Sequence, residues 1–345
     1  MDWEIKKIQN KDDFDDLENF YRKKFSSIYH NKLSADYLYW KLKKNVSFNG
    51  EMLVAIYNNN IVGSTSLTFK QAIIKDKQIK IAEIGDSYAD IAIQRIILKK
   101  NLKKNFKYFH EKSIFGSLVN ELLNRNNFKD LDLIYGVPNN KSLQGYTKHL
   151  NFKALNRNEI YNFVIPSINS QKIFFNSINF FLKFYRSCIL FLFFRTLVVL
   201  ENDDILENEI DFLISNNNLD LYKTRKYFLE KYKFNPEKNF SFLKVYNQKN
   251  LVNIYVIKKD HQRKKIFIVD YLAKKNFITH ILLKLNLKYN YSVSFWANNN
   301  DFNFFKKFFF TVFKRKKINI IIYNKQKNVE EVFFDNFYLG YSDSF

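Results

Sequence analysis

Apolar and polar positions follow two different periods through the first half of the chain. Residues 12–25 and 34–44 repeat apolar side chains every three or four positions, which predicts two amphipathic helices. Alternating runs at 51–57 and 60–69 then predict a β-hairpin. Its tip is rich in asparagine, a residue that tolerates the left-handed backbone of tight turns. A strand over 78–88 follows. A helix opening near Ser113 carries Ile114, Leu118 and Leu122, with Phe115 and Val119, at core spacing. A strand at 131–136, a helix at 141–149 and a turn at Asn151 and Phe152 complete the half.

The same order recurs further on. Residues 40–45, a helix ending in a basic turn, lead to the hairpin of 55–67, as residues 228–235 lead to that of 244–257. Residues 131–146, a short strand, an asparagine pair and a helix, match 291–305 in the same way. The fold class expected is therefore α/β (α+β), built as two tandem lobes, 1–160 and 201–345, joined by an apolar helical connector over 161–200. The Phe-rich run 302–313 reads as a buried helix.

The connector is very apolar over 173–200, yet Lys183, Arg186 and Arg195 interrupt it, and a spanning helix needs about 20 mostly apolar residues. Spacings of three and nine residues allow all three cations to share one helical face. Two readings stay open: a helix buried between the lobes, or one lying in the plane of an anionic membrane with its aromatic face in the acyl boundary.

Composition changes the picture only in part. The chain has 345 residues and is 46% hydrophobic, ample for a core, and its net charge of +22 suggests an anionic partner. Heavy use of Lys, Asn, Ile and Phe throughout is also what an AT-rich genome produces, so charge alone names no partner. One cysteine, Cys188, excludes an internal disulfide and a Cys-based zinc cluster. His30, His261 and His280 lack metal-site spacing, so no metal is implied. The N-terminal residues have no apolar h-region, and the expected location is cytoplasmic, with peripheral contact on the inner face of the membrane if the connector lies on lipid. An insertion at 90–109 reads as an amphipathic helix exposing Arg95, Lys99, Lys100, Lys103, Lys104 and Lys107. That face is either solvated or in contact with a phosphate-bearing donor or acceptor; no aromatic and basic RNA motif accompanies it, so nucleic acid is not an expected partner.

Three places stand out: residues 39–41, Tyr-Trp-Lys; residues 82–86, Ala-Glu-Ile-Gly-Asp, followed after the insertion by 110–122; and residues 134–140 leading to His149 and Phe152. In these the chain resembles the GNAT superfamily of acyl-CoA-dependent N-acyltransferases, most of all two-lobed members found among bacterial surface-polysaccharide genes. The resemblance implies a first lobe that takes acetyl-CoA as acyl donor and a second, degenerate lobe that shapes the acceptor cleft. It implies transfer of an acyl group, most simply acetyl, to an amine of a sugar or cell-surface glycan precursor. In such enzymes an Arg-x-x-Gly-x-Gly or Ala loop opens a helix and receives the pyrophosphate of CoA. Here the aligned residues are His110, Lys112, Ser113, Ile114 and Phe115, with Gly116 one step later and the usual glycine absent. In these enzymes a tyrosine seven residues after an asparagine often serves as proton donor to the thiolate. Asn139 and Tyr146 fit that spacing; alignment on His149 to Phe152 instead selects Asn140 and Thr147. Glu83 and Asp86 are the candidate general bases. Being three apart, they should lie on opposite faces of their strand, so that at most one reaches the acceptor. The rival readings are a Fem-type aminoacyl transferase and a non-catalytic GNAT-like binding protein.

Overall fold

A computed structural model of the chain describes residues 3–25, 33–44, 50–74, 77–101, 113–124, 131–155, 159–165, 167, 176–194, 196–202, 204–215, 229–236, 240–273, 278–297, 312–317 and 319–324. The described residues divide into two compact units. The first takes those up to 155 together with 235–236 and 319–324, and the second takes the remainder.

In the first unit, strands β1 (Glu4–Lys7), β2 (Gly50–Tyr57), β3 (Asn60–Ile74), β4 (Lys77–Ala89), β5 (Leu133–Gly136) and β6 (Lys153–Leu155) join β14 (Ile320–Asn324) in one sheet. Its order is β1-β2-β3-β4-β5-β14-β6. All neighbours pair antiparallel except β4 and β5, which run parallel. Helices α1 (Lys11–Lys24) and α2 (Ala35–Tyr39), the latter running into a π-helical turn Trp40–Lys44, cover one face. Asn10 starts α1 with a capping box: its side chain accepts from the Asp13 N–H while the Asp13 carboxylate accepts from the Asn10 N–H. The helix then buries Phe14, Leu17, Phe20 and Tyr21 against Met52 and Val54 of β2. Helices α4 (Ile114–Asn124) and α5 (Asn140–His149) cover the other face, where Leu53, Ala55, Leu67, Ala82 and Ile84 meet Ile114, Leu118, Val119, Leu122 and Tyr146. The hairpin tip forms at Asn58 and Asn59, with φ of 49° and 59°.

The second unit repeats the plan. Strands β7 (Glu159–Ile165), β8 (Leu197–Asn202), β9 (Phe240–Asn247), β10 (Asn250–Asp260), β11 (Lys265–Ala273), β12 (Ser292–Ala297) and β13 (Val312–Lys317) form a sheet of order β13-β7-β12-β11-β10-β9-β8. Here β11 and β12 are the one parallel pair, standing where β4 and β5 stand in the first sheet. Helices α6 (Asn176–Phe194) and α8 (Ile278–Tyr289) pack on one another, while Glu209 of α7 (Glu207–Ser215) bonds Lys244 and Tyr246 of β9. The hairpin tip of this unit uses Gln248 and Lys249, with φ of 48° and 77°, in place of asparagines.

Four expectations change. Residues 161–165 and 197–200, expected in a helical connector, are strands of the second sheet. Residues 320–324, expected in the second lobe, form the strand between β5 and β6 of the first. Of the run expected as a helix over 302–313, residues 302–311 lie outside the described residues and Val312 and Phe313 begin strand β13. The three cations of the connector do not share a solvated face: Lys183 is exposed, Arg186 is 2% exposed, and Arg195 lies outside the described residues. Among the described residues, no helix is long and apolar enough to cross a membrane.

The inserted helix is α3 (Ile91–Asn101). Arg95 is exposed as expected, but so are Ile91 and Ile96, while Ile97 is buried in the core. The side chains of Lys99 and Lys100, and residues 102–112, lie outside the described residues.

Candidate functional site

Strands β4 and β5 stay in register from Ile81 and Leu133 to Ile84 and Gly136. Beyond that point β4 continues to Ala89, whereas the chain after Gly136 leaves through Val137 and Pro138 into α5. The parting strands leave a cavity of about 260 Å³, with Tyr21, Phe25 and Tyr88 on the side of α1 and Asn139, Ser142 and Tyr146 on the side of α5.

The floor of the cavity is a β-bulge. Ser66 pairs with Gly85 but Ser64 pairs with Tyr88, so β4 carries one more residue than β3 across this step. Asp86, at φ 47°, takes up the distortion. The bulge overturns the expectation that Glu83 and Asp86 face opposite ways. Lys70 donates to Glu83 at 2.6 Å and Ser66 donates to Asp86 at 2.6 Å, and these two partners, four apart on β3, share a face. An extra residue breaks the two-residue alternation, which brings both carboxylates to the α1 side.

Their surroundings nevertheless differ. Glu83 also accepts from Tyr135 Oη at 3.2 Å, and the same hydroxyl accepts from Lys70 at 2.7 Å, which ties Glu83 into a polar trio away from the cavity lining. Asp86 lines the cavity, held by Lys41 Nζ at 2.7 Å as well as by Ser66. Its carbonyl accepts from Ser64 Oγ at 3.0 Å, and Ser64 Oγ is 2.7 Å from the hydroxyl of Tyr21. Burial, reinforced by the negative Asp86, pushes the Tyr21 phenol well above its ordinary range and keeps it protonated.

On the other wall, the Tyr146 hydroxyl lies 2.8 Å from Ser87 Oγ, directly on the bulge, and Ser87 Oγ is 2.8 Å from Thr65 Oγ1. Phe115 and Phe152 hold the Tyr146 ring edge-on at 4.9 and 5.0 Å. Burial raises the Tyr146 phenol above its usual range, the Asp86 charge adds to this, and the bond to Ser87 opposes it. Such a group stays protonated and suits hydrogen-bond donation. Thr147, the neighbour in the alternative alignment, spends its hydroxyl on the Leu143 carbonyl at 3.0 Å within its own helix. Of the two asparagines, Asn139 lines the cavity and caps α5, its Oδ1 accepting from the N–H groups of Lys141 and Ser142, both at 2.9 Å. Asn140 stands apart from the lining, and its Oδ1 accepts from Asn319 at 2.7 Å.

At the start of α4, Ser113 Oγ accepts from the Gly116 N–H at 2.9 Å, so the cap takes up one donor of this helix end. Ile114 is buried, and the Phe115 ring packs on Tyr146. His110 and Lys112 lie outside the described residues. The cavity thus brings together a carboxylate, two buried phenols and the N-terminus of α5.

The sequence reading missed Tyr21, Ser66 and Ser87 as site residues. A signal was present on β3, where Ser64, Ser66, Thr68 and Lys70 occupy alternate positions of a strand covered on both faces. All four are buried, at 0%, 0%, 4% and 7% exposure. A row of buried polar side chains on one face of a central strand marks a polar interior or a site.

No protein-family profile and no curated protein matches the sequence. Solved structures do match its fold. A probable N-acyltransferase from Enterococcus faecalis V583 superposes with a TM-score of 0.59 at 10% identity, over 94% of this chain and 73% of that one. A GCN5-related N-acetyltransferase from Kribbella flavida gives 0.58 at 8% identity, over 93% and 72% of the two chains. A tandem GNAT protein from the clavulanic acid biosynthesis pathway gives 0.54 at 6% identity, over 93% and 98%. At these identities the likeness establishes the fold: two mixed sheets flanked by helices, as in tandem GNAT proteins.

Proposed function

We propose that the first unit transfers an acyl group, acetyl in the simplest case, from CoA to an amine of a sugar or glycan precursor. The observation that carries the reading is the bulge at Asp86 and Ser87 lying in the gap between β4 and β5, with a buried phenol on one side and a carboxylate on the other. A bulge takes backbone groups out of the ladder, which supplies N–H donors for the carbonyl oxygen as it gains charge. The amine approaches from the α1 side, where Asp86 attracts its ammonium form and accepts the proton that must leave before attack. A new C–N bond forms, the C–S bond breaks, Tyr146 donates to the departing sulfur, and the proton that the acylated nitrogen sheds restores the phenol, with Ser87 as the next hydroxyl along. The aromatic walls of Tyr21, Phe25 and Tyr88 beside Asp86 and Ser142 suit a ring with both apolar faces and hydroxyls. With CoA as the donor, the reaction would run in the cytoplasm.

The cap from Ser113 to Gly116 favours a second reading, a lobe that keeps the fold without binding CoA. Thiol release from acetyl-CoA, followed across a panel of amino sugars and aliphatic amines, separates the two. The proposal expects release that depends on an amino sugar, and a product heavier by one acetyl group. Release with aliphatic amines alone would overturn the sugar assignment. No release with any amine would overturn the acyl-transfer reading.

A further inference from the structure

Helix α6 is built inside out. Phe180, Phe181, Phe184, Tyr185, Phe191 and Leu192 are 67%, 67%, 61%, 45%, 62% and 71% exposed. At helical spacing they form one continuous stripe, with Cys188 inside it. The opposite side carries Ile189 and Arg186, both buried, and the Arg186 guanidinium donates to Asn286 of α8. An aqueous surface helix shows the reverse pattern. A stripe of six large apolar side chains, about 18 Å long at 1.5 Å per residue, is more than scattered surface apolarity and calls for a nonaqueous neighbour.

We propose that this outward face of α6 is a docking surface for an anionic lipid bilayer, with the helix lying in the interface plane. The face is aromatic, as the apolar faces of interfacial helices are. A lysine stands beside it: Lys183 is exposed on α6 itself, with no ion-pair partner among the described residues. Anionic headgroups would supply its counter-charge, and the chain as a whole carries +22. A second copy docked on the same stripe would instead bring like charges together. The proposal is independent of the acyl-transfer reading.

Cys188 is the chain's one cysteine and lies within the stripe, so an environment-sensitive fluorophore can be attached there in the full chain. Vesicles of phosphatidylcholine with about one-third phosphatidylserine should blue-shift its emission, and vesicles of phosphatidylcholine alone should bind at least about tenfold more weakly. Sedimentation of the unlabelled chain should give the same order, weakening with added salt. Phe180→Ser with Phe184→Ser and Phe191→Ser removes three exposed rings at little cost to folding, checked by circular dichroism, and should weaken binding by roughly 100-fold. Absence of binding to either vesicle, or binding unchanged in the triple variant, would overturn the proposal. So would a blue shift that grows with protein concentration without lipid, the mark of a second copy.

Discussion

Replacing Tyr146 with phenylalanine removes one oxygen and leaves the ring in its place between Phe115 and Phe152. The lost group is the hydroxyl bonded to Ser87 at 2.8 Å. Ser87 retains Thr65 at 2.8 Å and the Gly85 carbonyl at 3.2 Å, so no buried donor is orphaned. The stability cost should therefore be near the net value of one hydrogen bond, about 1 kcal/mol. Loss of a proton donor costs far more in rate, roughly 10²–10⁴-fold. The gap between the two magnitudes makes the test clean, because a chain weakened by so little remains folded. Acetyl-CoA turnover measured by thiol release, beside a denaturant titration, reads both quantities on the same preparation. Thr147→Val is the internal control: its hydroxyl serves its own helix, and turnover should hold. Turnover of Tyr146→Phe within about threefold of the parent would refute proton donation, and loss on the threonine change alone would move the role to the other alignment.

The two carboxylates should separate in the same assay. Asp86→Asn should cut turnover by roughly 10²-fold or more, whereas Glu83→Gln, which alters a polar trio away from the cavity, should act mainly on stability; the opposite ranking would exchange their roles. Gly63→Ala would place a methyl 2.5 Å from Ile114 Cγ2 and 3.0 Å from the Tyr88 carbonyl oxygen. That overpacking should cost about 1–3 kcal/mol in a denaturant titration, and an unchanged midpoint would contradict it. Burial, with the charge of Lys284, lowers the His280 imidazole from 6.5 to about 4. Between those values the unfolded chain takes up a proton that the folded chain refuses. Stability is therefore intact above pH 6.5 and falls as the pH drops toward 4, by up to about 3 kcal/mol. Thermal midpoints of His280→Gln should be flatter over that window, and equal slopes for both chains would count against the argument.

Much of the architecture is legible because it is local. Helix α1 is written in Phe14, Leu17, Phe20 and Tyr21, and the hairpin tip in two asparagines that take positive φ. The internal repetition anticipated two sheets with matching strand order, even where Gln248 and Lys249 replace the asparagines. The exchange that puts β14 beside β5 and β7 beside β12 was not legible. A strand's own residues state its length and its buried faces, while its partner is chosen by contacts far along the chain. Strict alternation also misled at Asp86. One extra residue in a ladder leaves no mark in the hydrophobic pattern, yet it turns a carboxylate to the other face and creates the floor of the cavity. Spacing also misled along helix α6: it allowed Lys183 and Arg186 one common face, but Arg186 turns inward to Asn286.

Calorimetric titration of the full chain with acetyl-CoA tests the central claim most directly, because it needs no knowledge of the acceptor. The gap between β4 and β5 with the α4 terminus predicts saturable binding at one site per chain. Tyr146→Phe should bind nearly as well, since that hydroxyl acts on the departing sulfur and not on the phosphates. Absence of binding, or two equal sites per chain, would contradict the account.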